Sequence, residues 1–173
     1  NQEISNVYLI TSRINHPRVY VNKYGEQVIN ICPGFMHDGK KPYMSFSEET
    51  RNNTNLVIQY IKEIICNNRE EHLQWVLKWL AFMCRGEKNK SLIYLKSAEG
   101  TGKSSFCEFI ASHLIGPKLS IKADPDTIMG WNKNLLGKIF VYFEETNVAE
   151  SNKDRFMSKL KDYCTGDEIK IEA

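Results

Sequence analysis

Residues 97–104 read Ser-Ala-Glu-Gly-Thr-Gly-Lys-Ser, a set of residue types able to hold a polyphosphate. Gly100 and Gly102 let the backbone curl without Cβ clashes, so that successive N–H groups can point inward on an anion. Lys103 would reach the β- and γ-phosphates, and the Ser104 hydroxyl would bind Mg²⁺. Ser97, Ala98, Glu99 and Thr101 complete the turn, and Ser105 continues into the following helix. Ser97 stands where the usual phosphate-binding loop has its first glycine.

A second acidic motif lies downstream. Lys138-Ile-Phe-Val-Tyr-Phe143 ends in Glu144-Glu145. Two carboxylates at the end of a buried strand are electrostatically costly unless a cation or a donor meets them. In nucleoside-triphosphate chemistry Glu144 would hold Mg²⁺ or its waters, and Glu145 would orient and deprotonate the attacking water. Taken alone, the pair reads as a solvated strand end. Combined with the Gly-Lys-Ser loop, it points to a Mg²⁺-dependent nucleoside triphosphatase.

The surrounding pattern predicts the elements that would position these groups. Leu92–Leu95 is an apolar run suited to a strand, and Phe106–Leu114 has helical apolar spacing. Gly116-Pro117 ends that helix, Lys118–Lys122 reads as a short strand, and Asp124-Pro125-Asp126 restarts the chain. The unbroken β-branched and aromatic run before Glu144 predicts a strand covered on both faces. Residues 152–163 read as a helix ended by Thr165-Gly166, and Ile169-Lys170-Ile171 alternates like a strand. Strands alternating with helices imply an α/β fold with a parallel sheet and a ligand at the strands' carboxyl ends.

Upstream, residues 1–50 read as a β-rich leader. Arg18–Asn22 and Gln27–Cys32 flank Lys23-Tyr-Gly-Glu26 as a hairpin, and Pro33-Gly34-Phe35 with Asp38–Pro42 marks a loop. Residues 51–88 form a helical segment, a candidate oligomerisation collar. Thr54 or Asn55 is expected to cap a helix through Ile65, and a second helix runs from Glu70 to Arg85. Its Leu73, Val76, Leu77, Leu80 and Cys84 share one face, while Trp75, Trp79 and Phe82 lie toward another. Burial between two layers is the expected explanation, with contact to a neighbouring subunit as the other. Residues 89–173 make up the phosphate-loop core.

Composition narrows the class. The chain of 173 residues can bury one good core, and its 42% hydrophobic and 25% charged residues are ordinary for a globular protein. A net charge of +2 does not announce a nucleic-acid binder, so any such site must come from local clustering. No run is long enough to span a bilayer, no signal peptide opens the chain, and a membrane partner is not expected. The five scattered cysteines form no Cys-x-x-Cys pair, and Cys32 with His37 is an incidental pair, so reduced thiols at an intracellular location are expected. The chain opens on Asn1 rather than Met and stops at Ala173, and it reads as a piece of a longer polypeptide.

Several of these residues together resemble a known family. The Gly-Thr-Gly-Lys-Ser loop is followed by Trp131-Asn132 before the strand ending in Glu144-Glu145, and then by Lys161…Thr165-Gly166-Asp167…Ile169. This order resembles the superfamily 3 helicases, and more narrowly the helicase part of viral, phage and plasmid primase–helicases of the poxvirus type. The resemblance covers roughly residues 27–173, with Ile29-Asn30 and Pro33-Gly34-Phe35 as its leading edge. It implies an AAA+ P-loop ATPase core that uses ATP and Mg²⁺. Such a core assembles as a ring homo-oligomer, a hexamer, and translocates on single-stranded DNA during replication of a virus or mobile element. The working location would be the host or bacterial cytoplasm or a viral replication site, with a fused or associated primase as a further partner.

The resemblance also assigns roles. Lys103 and Ser104 bind nucleotide and metal, Glu144 supports the metal and Glu145 activates water. Glu144 stands where many relatives have Asp, which favours a water-mediated metal contact. Lys161 and Lys170 are candidate DNA phosphate contacts, with solvated surface lysines as the equal alternative. A sensor residue and an arginine finger would follow later in such proteins. This segment alone would therefore hydrolyse ATP slowly, since a finger contributes on the order of 10³–10⁵ in rate. Two other classes stay open: a P-loop kinase acting on a small acceptor, and a nucleotide-gated initiator or scaffold that binds DNA without unwinding it. The absence of arginine between Lys103 and Glu144 counts against the kinase, which usually carries an arginine-bearing lid.

Overall fold

The computed structural model describes residues 9–36, 41–144 and 148–166. Expectations that fell on Glu145, Lys170, His37, the Asp38–Lys40 part of the loop and the Ile169–Ile171 strand lie outside these residues.

The chain begins with a small three-stranded sheet. β1 (Leu9–Thr11) runs parallel to β3 (Gln27–Asn30), and β2 (Val19–Val21) pairs with β3 antiparallel. The expected β2–β3 hairpin is present. Its turn is closed by the Asn22 carboxamide oxygen, which accepts from the Tyr24 and Glu26 N–H groups at 2.9 and 3.0 Å. The β1–β3 pairing was not expected, because a three-residue strand carries too little pattern to betray a partner far along the chain.

Two helices follow. α1 (Glu48–Tyr60) starts well before the expected Thr54 or Asn55, and three residues before the expected start of the helical segment. The cap is Ser47, whose hydroxyl accepts from the Thr50 N–H at 3.2 Å, with Glu48 and Glu49 favourably placed in the first turn. The helix then widens into a π-type turn, Ile61–Ile65, closed by Cys66 N–H on the Ile61 carbonyl at 2.9 Å. α2 (Glu70–Cys84) ends as expected at Arg85, with Gly86 just beyond at φ +73°. Burial between two layers does not hold for α2. Leu73, Val76, Leu80 and Met83 are buried, whereas Trp75 and Phe82 stay 47% and 40% exposed. Trp79 is half-buried and donates its indole N–H to the Ser91 carbonyl at 3.3 Å.

The remainder is mixed α/β. α3 (Lys103–Phe109) runs on into a second wide turn, Ile110–Leu114. β4 (Ser120–Lys122) pairs in parallel with β5 (Phe140–Tyr142), Lys122 standing opposite Tyr142. α4 (Pro125–Met129) is capped by Asp124, which accepts from the Thr127 N–H at 2.8 Å, with Pro125 in the first turn. α5 (Lys153–Thr165) closes the described chain.

The expected strand at Leu92–Leu95 forms no ladder among the described residues. It nevertheless alternates as a strand does. Ile93 and Leu95 pack on the core, and Leu92 and Tyr94 face solvent. The extended form is set by the local sequence, while a ladder needs a distant partner.

One apolar cluster joins both halves of the chain: Ile61, Leu73, Val76 and Leu80 pack with Phe106, Ile110, Ile115 and Phe140. A second, smaller cluster contains Ile128, Leu135 and Phe156. β5 lies between them, with Phe140 and Tyr142 on the first and Val141 and Phe143 on the second. Cover on both faces explains the unbroken apolar run of that strand.

Candidate functional site

The turn at residues 97–103 is shaped by two left-handed glycines, Gly100 at φ +72° and Gly102 at φ +89°. Within it, the Thr101 hydroxyl donates to the Ala98 carbonyl at 3.0 Å, and the Ser97 and Thr101 hydroxyls share a hydrogen bond. Lys103 bends back over this turn. Its ammonium donates to the Ser97 carbonyl at 3.1 Å, the Ser97 hydroxyl at 2.7 Å, the Ala98 carbonyl at 2.7 Å and the Thr101 hydroxyl at 3.2 Å. Ser97, the departure from the usual glycine, is thus a direct partner of the lysine. Glu99 and Gly100 are exposed at the tip, and Ser104 and Ser105 are exposed in the first turn of α3.

Glu144 sits two residues past β5, at the carboxyl end of the parallel pair, with its side chain 34% exposed. Its carboxylate pairs with the Lys122 ammonium at the same end of β4. That bond is the main reason the Lys122 ammonium titrates above the ordinary lysine range, with further help from the Glu144 and Glu108 charges. Glu144 is also close to α3. Burial pushes the Cys107 thiol up, and the negative charges of Glu144 and Glu108 push it further.

Sequence reasoning missed two residues at this site. Lys122 was legible only as the end of a short strand; placing it opposite Glu144 required the strands to be registered side by side. Tyr60, the last residue of α1, donates its hydroxyl to the Gly102 carbonyl at 2.7 Å. No local pattern announces a helix tyrosine as a partner for a loop 42 residues away.

Other residues named from the sequence have different surroundings. Asn132 is buried and bonds the Tyr163 hydroxyl, fastening the approach to β5 onto α5, while its neighbour Trp131 is 75% exposed. Asn30 is buried and fully occupied. Its carboxamide donates to the Arg13 and His16 carbonyls at 2.8 and 2.9 Å and accepts from the Arg13 and Cys32 N–H groups at 2.9 and 3.2 Å. Lys161 is exposed on α5. All five cysteines are unpaired thiols, and burial raises the pKa of Cys66, Cys84 and Cys164.

A cleft of about 520 Å³ is lined by Asp124, Asp126, Thr127, Met129, Gly130 and Trp131 and shares no residue with the phosphate-type loop. Its two carboxylates make it a poor host for a polyphosphate. Among the described residues no cluster of three or more His, Cys, Asp or Glu side chains could cage a metal, and no helix is long and apolar enough to cross a membrane.

Residues 95–173 match a family of unknown function (DUF5906). The match starts two residues before the loop and takes in Lys103, Lys122 and Glu144. No curated protein and no solved structure matches the chain.

Proposed function

We propose that this chain carries the ATP-binding core of a superfamily 3-type replicative DNA helicase, working inside the cell on single-stranded DNA as a ring homo-oligomer. The observation that supports the nucleotide part is the turn itself: Gly100 and Gly102 in the left-handed region curl the chain directly ahead of α3, with the Lys103 ammonium held over the turn's oxygens. Glu144, at the carboxyl end of the parallel β4–β5 pair, supplies the acidic group that the reading requires. The helicase part rests on the order of motifs along the sequence.

In this reading the turn's backbone N–H groups bind the β- and γ-phosphates. Lys103 exchanges the loop's oxygens for phosphate oxygens, keeping its charge beside the group to be cleaved. Mg²⁺, when bound, would neutralise charge on the phosphates. The donors available to it are the Ser104 hydroxyl and the Glu144 carboxylate. Hard oxygen donors this few fit an ion that keeps several waters and takes its remaining ligands from phosphate. Lys122 competes for the same carboxylate, so Glu144 must leave that pair to serve the metal. Glu145 orients and deprotonates the attacking water.

The test is ATP binding and hydrolysis by the longest natural form containing this segment, with and without single-stranded DNA. Lys103→Ala is expected to abolish Mg–ATP binding while leaving the thermal unfolding midpoint nearly unchanged. Unchanged affinity in the folded variant would remove the phosphate-loop assignment. Hydrolysis indifferent to DNA would shift the reading to a P-loop kinase. DNA-stimulated hydrolysis without strand displacement would favour an initiator or scaffold.

A further inference from the structure

Tyr60 is placed with unusual firmness for a residue outside the loop. It ends α1, and the next residue, Ile61, is 3% exposed within the main core. Its ring packs against the same core, and its hydroxyl reaches the Gly102 carbonyl at 2.7 Å. That carbonyl also accepts the first intrahelical bond of α3, from the Phe106 N–H at 3.0 Å. Two donors thus fix the orientation of the peptide group joining Gly102 to Lys103.

No cis peptide occurs among the described residues, and in a trans peptide the N–H points opposite to its carbonyl. Holding the Gly102 oxygen toward Tyr60 and α3 therefore aims the Lys103 N–H outward from the start of α3. A flip of this peptide would turn a carbonyl oxygen toward an arriving anion. Gly102 is bound to this arrangement in a second way: a Cβ there would lie 2.8 Å from the Tyr60 hydroxyl and 3.5 Å from Ile64 Cγ2. The glycine is needed for its φ of +89° and also for the closeness of the tyrosine.

We propose that Tyr60 is a positioning residue for the phosphate-binding loop, fixing the Gly102–Lys103 peptide with its N–H directed at the ligand. Through it, the helical segment that precedes the loop is coupled to nucleotide affinity. The inference rests on the reading of residues 97–105 as a phosphate-binding loop. It adds that displacing the end of α1 weakens phosphate binding without any contact between α1 and the nucleotide.

Tyr60→Phe removes only the hydroxyl and keeps the ring in the core. In the full chain, Mg–ATP and inorganic pyrophosphate are each titrated against wild type and variant, and amide hydrogen exchange is followed at residues 103–106 without ligand. The expected result is about five-fold weaker binding of both ligands, the loss of one hydrogen bond's net contribution. Exchange at residues 103–106 is expected to quicken while exchange in α2 and α5 stays the same. Equal affinity in wild type and variant, whatever the exchange does, would overturn the role of Tyr60 and leave the phosphate loop standing. A loss confined to ATP would overturn it as well, because the hydroxyl would then act on the nucleoside and not on the phosphate-facing peptide. If wild type binds neither ligand, the phosphate-loop reading itself fails and the proposal falls with it.

Discussion

The two sheets of this molecule are held together by different forces, and one of them ends in a paired lysine and glutamate. The β1–β3–β2 sheet is covered on little of its surface: Ile10, Val19 and Val21 are 71%, 63% and 62% exposed. Its order comes from polar stitching, above all the four hydrogen bonds of buried Asn30. The β4–β5 pair is as short, but β5 is packed on one face by the main cluster and on the other by the second. Its carboxyl end carries the Lys122–Glu144 pair. A sheet held from both faces can present a charged pair at its end with little freedom, which a site needs.

The comparison breaks most visibly at Phe140, 6% exposed and stacked on Tyr142 at a centroid distance of 5.4 Å. Phe140→Ala should cost about 3–5 kcal/mol by opening a cavity in the shared core, read from urea unfolding, and should weaken nucleotide binding as well. A loss below about 1 kcal/mol would mean that β5 is not held as described.

A smaller and more local effect is expected at Asn30. Asn30→Ala strands the Arg13 and Cys32 N–H groups and the Arg13 and His16 carbonyls, at a cost of about 1–3 kcal/mol. Hydrogen exchange should accelerate across residues 9–31 while Mg–ATP affinity is kept. Loss of nucleotide binding would show that the leader sheet supports the site after all.

The smallest effect concerns pH at α4, which leads from β4 toward β5. The Thr127 N–H and hydroxyl hold the Asp124 carboxyl below the ordinary aspartate range. A depressed carboxylate pKa means the cap is complete above the unfolded value, near 4 for aspartate. The cap is lost only as pH falls through the lower, folded value. An NMR titration of the Thr127 amide should therefore show a midpoint below that of an ordinary aspartate. A midpoint at or above it would refute the cap.

Features with local causes were legible in the sequence. The phosphate-type turn, α2 with its acidic first turn and Arg85-Gly86 exit, and the β2–β3 hairpin all carry their instructions within a few residues. The Ser47-Glu48-Glu49-Thr50 cap is equally local, but the apolar spacing that marks a helix begins only near Leu56. Long-range pairings were not legible. The β1–β3 ladder, the Lys122–Glu144 pair and the Tyr60–Gly102 bond depend on where distant segments meet. Leu92–Leu95 shows the division within one segment: its apolar run pointed to an extended strand, and neither its alternating burial nor its missing ladder was readable.

On the proposed reading of the turn as a phosphate site, the embrace of the Lys103 ammonium by its own loop would make ligand capture a substitution. Oxygens already surround the cation, so an arriving phosphate replaces neutral acceptors with anionic ones and leaves the number of contacts much the same. The gain is then chiefly Coulombic, and in an exposed loop such a gain shrinks as ions accumulate in the medium. Affinity for a triphosphate should consequently track ionic strength more steeply than affinity for a monophosphate.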